Sequence, residues 1–184
     1  MKSSALFTLV GVLLLAGCAG LPKTKDLSGV DVGVALVSQR EALGTFGTRM
    51  DANPYLAPGG GIMGHAAEYV VVRFDIAAAR DATFHVNEIS AKAPNGASVA
   101  QLFAEDDFAS YVARWTDDES LAKKLSVNVQ RTYLPGYDFS ISPGRRTYYV
   151  VLAGAKPLPR PFAVMVNVAI DSDAARVFTF QANP

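Results

Sequence analysis

Cysteine and histidine are nearly absent from this 184-residue chain. Cys18 is the only cysteine, so the sequence excludes an internal disulfide framework and a thiolate zinc site, and the folded part must be stabilised by packing. Only two histidines occur, His65 and His85, and neither belongs to an H-E-x-x-H or similar motif. We therefore predict no metal ligands and no cofactor held by the folded chain.

The chain also lacks net charge, runs of basic residues and familiar nucleophile motifs. Its 17 Lys and Arg residues balance its 17 Asp and Glu residues, which argues against a nucleic-acid partner and against polybasic contact with anionic lipid. No G-x-S-x-G elbow is present, so Ser/His/Asp hydrolysis has no support in the sequence. We assign no catalytic residue.

The N-terminus has the layout of an export signal. Lys2 precedes an apolar stretch over residues 5–16, which is the arrangement of a signal peptide. The stretch is too short for a transmembrane helix, which needs about 20 apolar residues. It ends in Leu15-Ala16-Gly17-Cys18, which resembles the lipobox of bacterial lipoproteins.

This resemblance implies processing and a membrane anchor. Residues 1–17 would be removed as a signal peptide, and the Cys18 thiolate would take a diacylglyceryl group as a thioether. Many bacteria add a further acyl chain, such as palmitate, to the new amino group, and two or more chains hold a protein stably on a membrane. The covalent lipid is the only non-protein group that we expect, and it makes the membrane a partner.

Two alternatives to the lipobox remain. Ordinary secretion with cleavage after Ala19 would remove the cysteine, and an uncleaved apolar N-terminus would keep it unmodified. We favour the lipobox because the signal layout and the cysteine position agree independently. In lipoproteins of double-membraned bacteria an aspartate after the lipidated cysteine typically causes retention at the inner membrane. The residue here is Ala19, so the resemblance favours the outer membrane, if the organism has one.

Beyond the signal, the sequence predicts a tether followed by one domain. Residues 18–28 are small or polar and include Pro22, so we interpret them as a lipidated tether. Residues 29–184 suffice for one domain with its own core.

Alternating apolar residues dominate that domain and predict about eight strands with one buried face each. Glu88 interrupts one strand and indicates a bulge. Many short strands without long helices between them favour an antiparallel β-sandwich, all-β or β-rich α+β. An immunoglobulin-like topology is an analogy only, because the Cys and Trp markers of that fold are missing. The alternating residues are Val30, Val32, Val34 and Leu36; Val70, Val72, Phe74 and Ile76; Phe84 and Val86; Val127, Val129 and Tyr133; Tyr137, Phe139 and Ile141; Tyr148, Val150 and Leu152; Phe162, Val164, Val166, Val168 and Ile170; Phe178 and Phe180.

Residues 105–125 change to helical periodicity, which predicts a short helical insertion. An apolar stripe at i, i+3, i+4 and i+7 ends in the only tryptophan, and a capping-box pattern after it predicts a second helix starting at Thr116. We expect the stripe to cover an open end or edge of the sandwich; the alternatives are docking on a partner or dipping into the lipid interface. The acidic triplets 105–107 and 117–119 suit helix N-termini better than calcium loops. The stripe comprises Phe108, Tyr111, Val112 and Trp115.

Residues 44–67 lack periodicity and contain two prolines and a glycine triplet, which predicts a long loop. A formal G-x-G-x-x-G match within it lacks the preceding strand and following helix of a dinucleotide site, so we reject nucleotide binding. Two interpretations remain equally open. The loop presents apolar residues to a partner, or it folds them over the sandwich. The residues concerned are Tyr55, Leu56, Ile62 and Met63.

Two functional hypotheses follow from these patterns. The first is a non-enzymatic cell-envelope lipoprotein with a binding or structural role toward a protein or envelope component. The second is an envelope hydrolase whose site assembles only in three dimensions, which a deep pocket containing His65 or His85 with carboxylates would favour. We prefer the first because familiar catalytic motifs are absent.

The lipobox hypothesis predicts the behaviour of one substitution. Cys18→Ser should abolish incorporation of labelled fatty acid and shift the protein out of the membrane fraction, because serine forms no thioether. Metabolic labelling and fractionation measure both effects. Retained label, or unchanged fractionation, would contradict the assignment.

Overall fold

The computed structural model describes residues 23–26, 28–37, 54–55, 67–114, 116–155 and 157–182. Most of this part of the chain is antiparallel β-structure with a short helical insertion, which confirms the predicted fold class. Neither of its helices is long and apolar enough to cross a membrane. The elements are β1 (Lys23–Asp26), β2 (Val30–Leu36), β3 (Ala67–Ala78), β4 (Ala82–Lys92), β5 (Ser98–Leu102), α1 (Glu105–Ala113), α2 (Glu119–Thr132), β6 (Asp138–Ile141), β7 (Gly144–Ala155), β8 (Phe162–Ile170) and β9 (Arg176–Ala182).

The strands form two layers that β5 joins. The first sheet has the order β1-β2-β3-β7-β5, and the second has the order β4-β8-β9 with β6 also on β4. Because β5 pairs with both β7 and β4, the hydrogen bonding is continuous from one layer to the other. The orders β2-β3-β7-β5 and β4-β8-β9 are those of the two sheets of a constant-type immunoglobulin sandwich. The helices and β6 are inserted between its fourth and fifth strands.

Alternating residues from both sheets fill the interior, as the sequence predicts. Phe74 of the first sheet and Phe84 of the second are fully buried and meet edge to face, with ring centroids 6.3 Å apart. Burial of each large apolar side chain contributes about 1.5–3 kcal/mol to the free energy of folding. The register of β4 against β8 shifts between Val86 and Glu88, which confirms the predicted bulge and returns Ile89 to the interior.

The helices cover the outer face of the first sheet. Val71 and Val151 pair on that face, where α1 and α2 bury them. Phe108 of α1 is completely buried, so its stripe faces the protein's own core, as expected. We expected the helical stripe to cover an end or an edge of the sandwich, and this prediction is wrong. The stripe covers a sheet face, because the apolar side chains of Val71 and Val151 lie there. Trp115 lies outside the described residues. The rings around Phe108 have centroids 5.6–6.0 Å away and belong to Tyr55, Tyr69, Phe103 and Tyr133.

Helix α2 corrects two details of the predictions. The segment that includes Val129 was expected to be a strand, yet it is helical, because Leu125 and Val129 lie four residues apart on one buried face. The N-cap is Asp118 and not Thr116. Its carboxylate accepts hydrogen bonds from the backbone N–H groups of Ser120 and Leu121, at 2.9 and 3.2 Å.

Strand β1 falls within the predicted tether. Its four residues pair antiparallel with β2, with Lys23 opposite Val34 and Asp26 opposite Asp31, so they belong to the first sheet. The described domain therefore begins only five positions after Cys18.

The aromatic cluster around Phe108 generates a stability prediction. Phe108→Ala should lower the free energy of unfolding by about 3–5 kcal/mol, because it leaves a cavity under α1. Urea denaturation measures this change. Tyr137→Ala is the control, since the Tyr137 side chain is 56% exposed and its loss should cost much less. Equal losses would contradict the packing described here.

Candidate binding cleft

A cleft of about 290 Å³ opens at the seam between the two sheets, and we call it the seam cleft. It lies where β5 ends at Leu102 and no longer bridges β4 and β7. The buried side chains of Ile89 and Val150 form its floor together with Leu102. Its volume is near the lower limit for ligand pockets, about 300 Å³. Two chain segments form its walls: Phe103, Ala104, Glu105 and Asp106 on one side, and Tyr133, Leu134, Pro135, Gly136 and Tyr137 on the other.

The first wall is the start of α1. The Phe103 N–H donates to the Val151 carbonyl at 3.0 Å, which extends the pairing with β7 by one residue. Ala104 is the N-cap and supplies no capping side chain. Glu105 and Asp106 follow in the first turn, as predicted. Burial, and then the neighbouring Asp106 charge, raise the pKa of Glu105 above its ordinary value.

The second wall is the segment 133–137, which runs from β7 to β4. The Leu134 N–H donates to the Tyr149 carbonyl at 3.0 Å, and the Val86 N–H donates to the Tyr137 carbonyl at 2.7 Å. Gly136 has a φ of 149°, a conformation that favours glycine, and it lets the chain reach β4. The crossing leaves the Tyr137 side chain exposed at the lip.

Tyr133 holds the two walls together. Its hydroxyl donates to the Phe103 carbonyl at 2.7 Å and accepts the buried Val151 N–H at 3.0 Å. Burial raises the pKa of this phenol, so it stays protonated and can donate. The wall that begins α1 is therefore linked to β7 through the Tyr133 side chain as well as through the Phe103 backbone.

The lining of the seam cleft combines apolar side chains with acidic and phenolic groups. It consists of apolar side chains, backbone, two carboxylates and two tyrosines, without Ser, Thr, Cys, His, Lys or Arg. Apolar contact and negative charge can bind a group there, and Glu105 and Asp106 are the carboxylates of the lining. Within the described ranges, no group of three or more His, Cys, Asp or Glu side chains could hold a metal ion.

His85 lies elsewhere. It faces Asp138 across the β4–β6 pair, with Nδ1 2.5 Å from the carboxylate Oδ1. This is a cross-strand contact on a partly exposed surface, not a recess in which polar groups converge. The nearby Asp171 carboxylate accepts the Thr83 N–H at 2.7 Å, and this bond lowers the pKa of Asp171. His65 falls outside the described residues.

The predicted partner loop is described only in part. Tyr55 is buried, stacks on Phe108 and shares a 2.7 Å hydrogen bond with the Thr132 hydroxyl. At this position the structure favours the alternative that the loop packs onto the protein. Leu56, Ile62 and Met63 lie outside the described residues, and so does Cys18. Their predicted roles stay predictions.

Sequence reasoning did not identify the seam cleft. Pro135-Gly136 indicates a turn, and the acidic triplet indicates a helix start, but neither places these segments opposite each other. Comparison of the chain with protein-family models, curated proteins and solved structures finds no significant match.

The position of Tyr133 generates a prediction. Tyr133→Phe should lower the free energy of unfolding by about 1–3 kcal/mol, because the buried Val151 N–H loses its acceptor. The Val151 amide should also exchange with solvent faster. Tyr137→Phe, which removes an exposed hydroxyl, is the matched control. If the two variants match in urea denaturation and amide exchange, Tyr133 does not hold the walls.

Proposed function

We propose that this protein is a lipid-anchored envelope lipoprotein with a non-enzymatic role, binding a protein or another envelope component. The anchor rests on the resemblance of residues 15–18 to a lipobox. The binding role rests on the seam cleft. A purely structural role in the envelope belongs to the same non-enzymatic class.

The lining of the seam cleft is the observation that carries the binding role. It combines a buried apolar floor with carboxylates and an exposed tyrosine at its rim, and aromatic residues beside an apolar pocket are common at protein interfaces. His85 does not support the hydrolase alternative, because it contacts Asp138 across the β4–β6 pair and is not among the residues that line the cleft.

The anchor would keep this site near the membrane. Five positions separate Cys18 from Lys23. A fully extended chain of that length reaches about 17 Å, at about 3.3–3.6 Å per residue. Any partner therefore belongs to the membrane surface or the layer directly beside it, with the outer membrane favoured by Ala19.

Photocrosslinking in the native membrane tests the proposal. We expect benzoylphenylalanine at position 137 of the full-length protein to give a discrete adduct, because this aromatic position lies at the lip of the cleft. Position 117 is the control, since it follows the C-terminal end of α1, away from the cleft. Equal labelling at both positions, or turnover of an envelope polymer by the purified protein without any adduct, would contradict a binding role.

A further inference from the structure

We infer that the seam cleft binds a segment of a partner polypeptide that inserts one large apolar side chain and places an adjacent Lys or Arg against Glu105 and Asp106. This inference rests on the proposed binding function and specifies its ligand. Three features of the cleft carry it: its size, the charge at its rim and the position of Tyr137.

The size of the cleft suits one side chain. A volume of about 290 Å³ holds one large apolar group and little more. The floor is apolar and shielded from solvent, with Val150 2% and Ile89 8% exposed, so the end of an inserted group would rest on apolar atoms. Burying one aromatic side chain in this way is the usual anchor of a small interface.

The charge at the rim selects a cation. Glu105 and Asp106 form no ion pair within the described part of the chain. Burial, and then the neighbouring Asp106 charge, raise the pKa of Glu105. A Lys or Arg at this rim would relieve the repulsion and form charge-assisted hydrogen bonds.

Tyr137 extends the contact surface outside the cleft and favours a polypeptide over a free amine. Its ring is 56% exposed beside the opening, where a chain leaving the cleft would pass over it. A free amine would fill the cleft but leave this ring uncovered. The two carboxylates also disfavour an anionic lipid headgroup.

Peptide binding to the full-length lipidated protein in detergent micelles tests the inference. The probe is a fluorescein-labelled peptide GSWKSG, and the comparison peptides are GSWESG and GSGKSG. Fluorescence anisotropy should show about tenfold tighter binding of GSWKSG than of either, since each comparison peptide loses one of the two contacts. Equal affinity of GSWKSG and GSWESG would overturn the charge argument. Phenethylamine that competes at the same concentration as the peptide would overturn a polypeptide ligand.

Two pairs of variants locate the binding. Ala104→Trp should fill the cleft and abolish binding, whereas Ser110→Trp, at an exposed position on the same helix, should not. The double variant E105Q/D106N should lose about tenfold in affinity, while D117N/E119Q, with the same change in charge at the other helix start, should retain it. Circular dichroism verifies that each variant folds.

The results separate the inference from the proposed function. Unchanged binding in Ala104→Trp or in E105Q/D106N would place the ligand outside the seam cleft and overturn the inference, and so would an equal loss in the two members of either pair. If the peptides fail to discriminate and the adduct from position 137 persists, the ligand chemistry is wrong and the binding role stands.

Discussion

The first sheet has apolar residues on both faces, and the rest of the structure depends on that constraint. One face packs against the second sheet. The other carries Val71 and Val151, which would face water in an ordinary two-layer sandwich. The helical insertion covers them, with Phe108 at the centre of the contact. Tyr55, far away in the sequence, completes the cover between α1 and β7. The helices are thus part of the core and not an appendage.

Covering that face also creates the seam cleft. To reach the outer face of the first sheet, the chain leaves β5 after five residues, and to return to the second sheet it crosses the gap through residues 133–137. The opening between the two walls leads to the apolar floor of the seam cleft, and the Tyr133 hydroxyl links these walls. A single packing requirement thereby accounts for both the third layer and the recess to which we assign binding.

Local patterns predicted much of the fold, because strands with one buried face alternate strictly and the bulge at Glu88 interrupts that alternation. The local pattern gave the wrong element at Val129. This residue lies two positions after Val127, as in a strand, and four positions after Leu125, as in a helix. Only tertiary packing decides between the two. The sequence does contain an indication of the helical layer. The apolar runs 69–72 and 148–152 are continuous, which is typical of strands that are buried on both faces. No sequence pattern indicates the seam cleft, since the cleft depends on where β5 ends relative to strands that are distant in the sequence.

Hydrogen exchange of the full-length protein, with and without the membranes of the cells that express it, tests the central claim most directly. Exchange of the backbone amides in residues 103–106 and 133–137 would be compared between native membranes and the purified full-length protein. If the seam cleft is the site at which this domain binds its partner, both segments exchange more slowly in the membrane, while the β4–β5 turn around Gly96 is unchanged. Identical exchange in both segments, or slowing confined to that turn, would contradict the account.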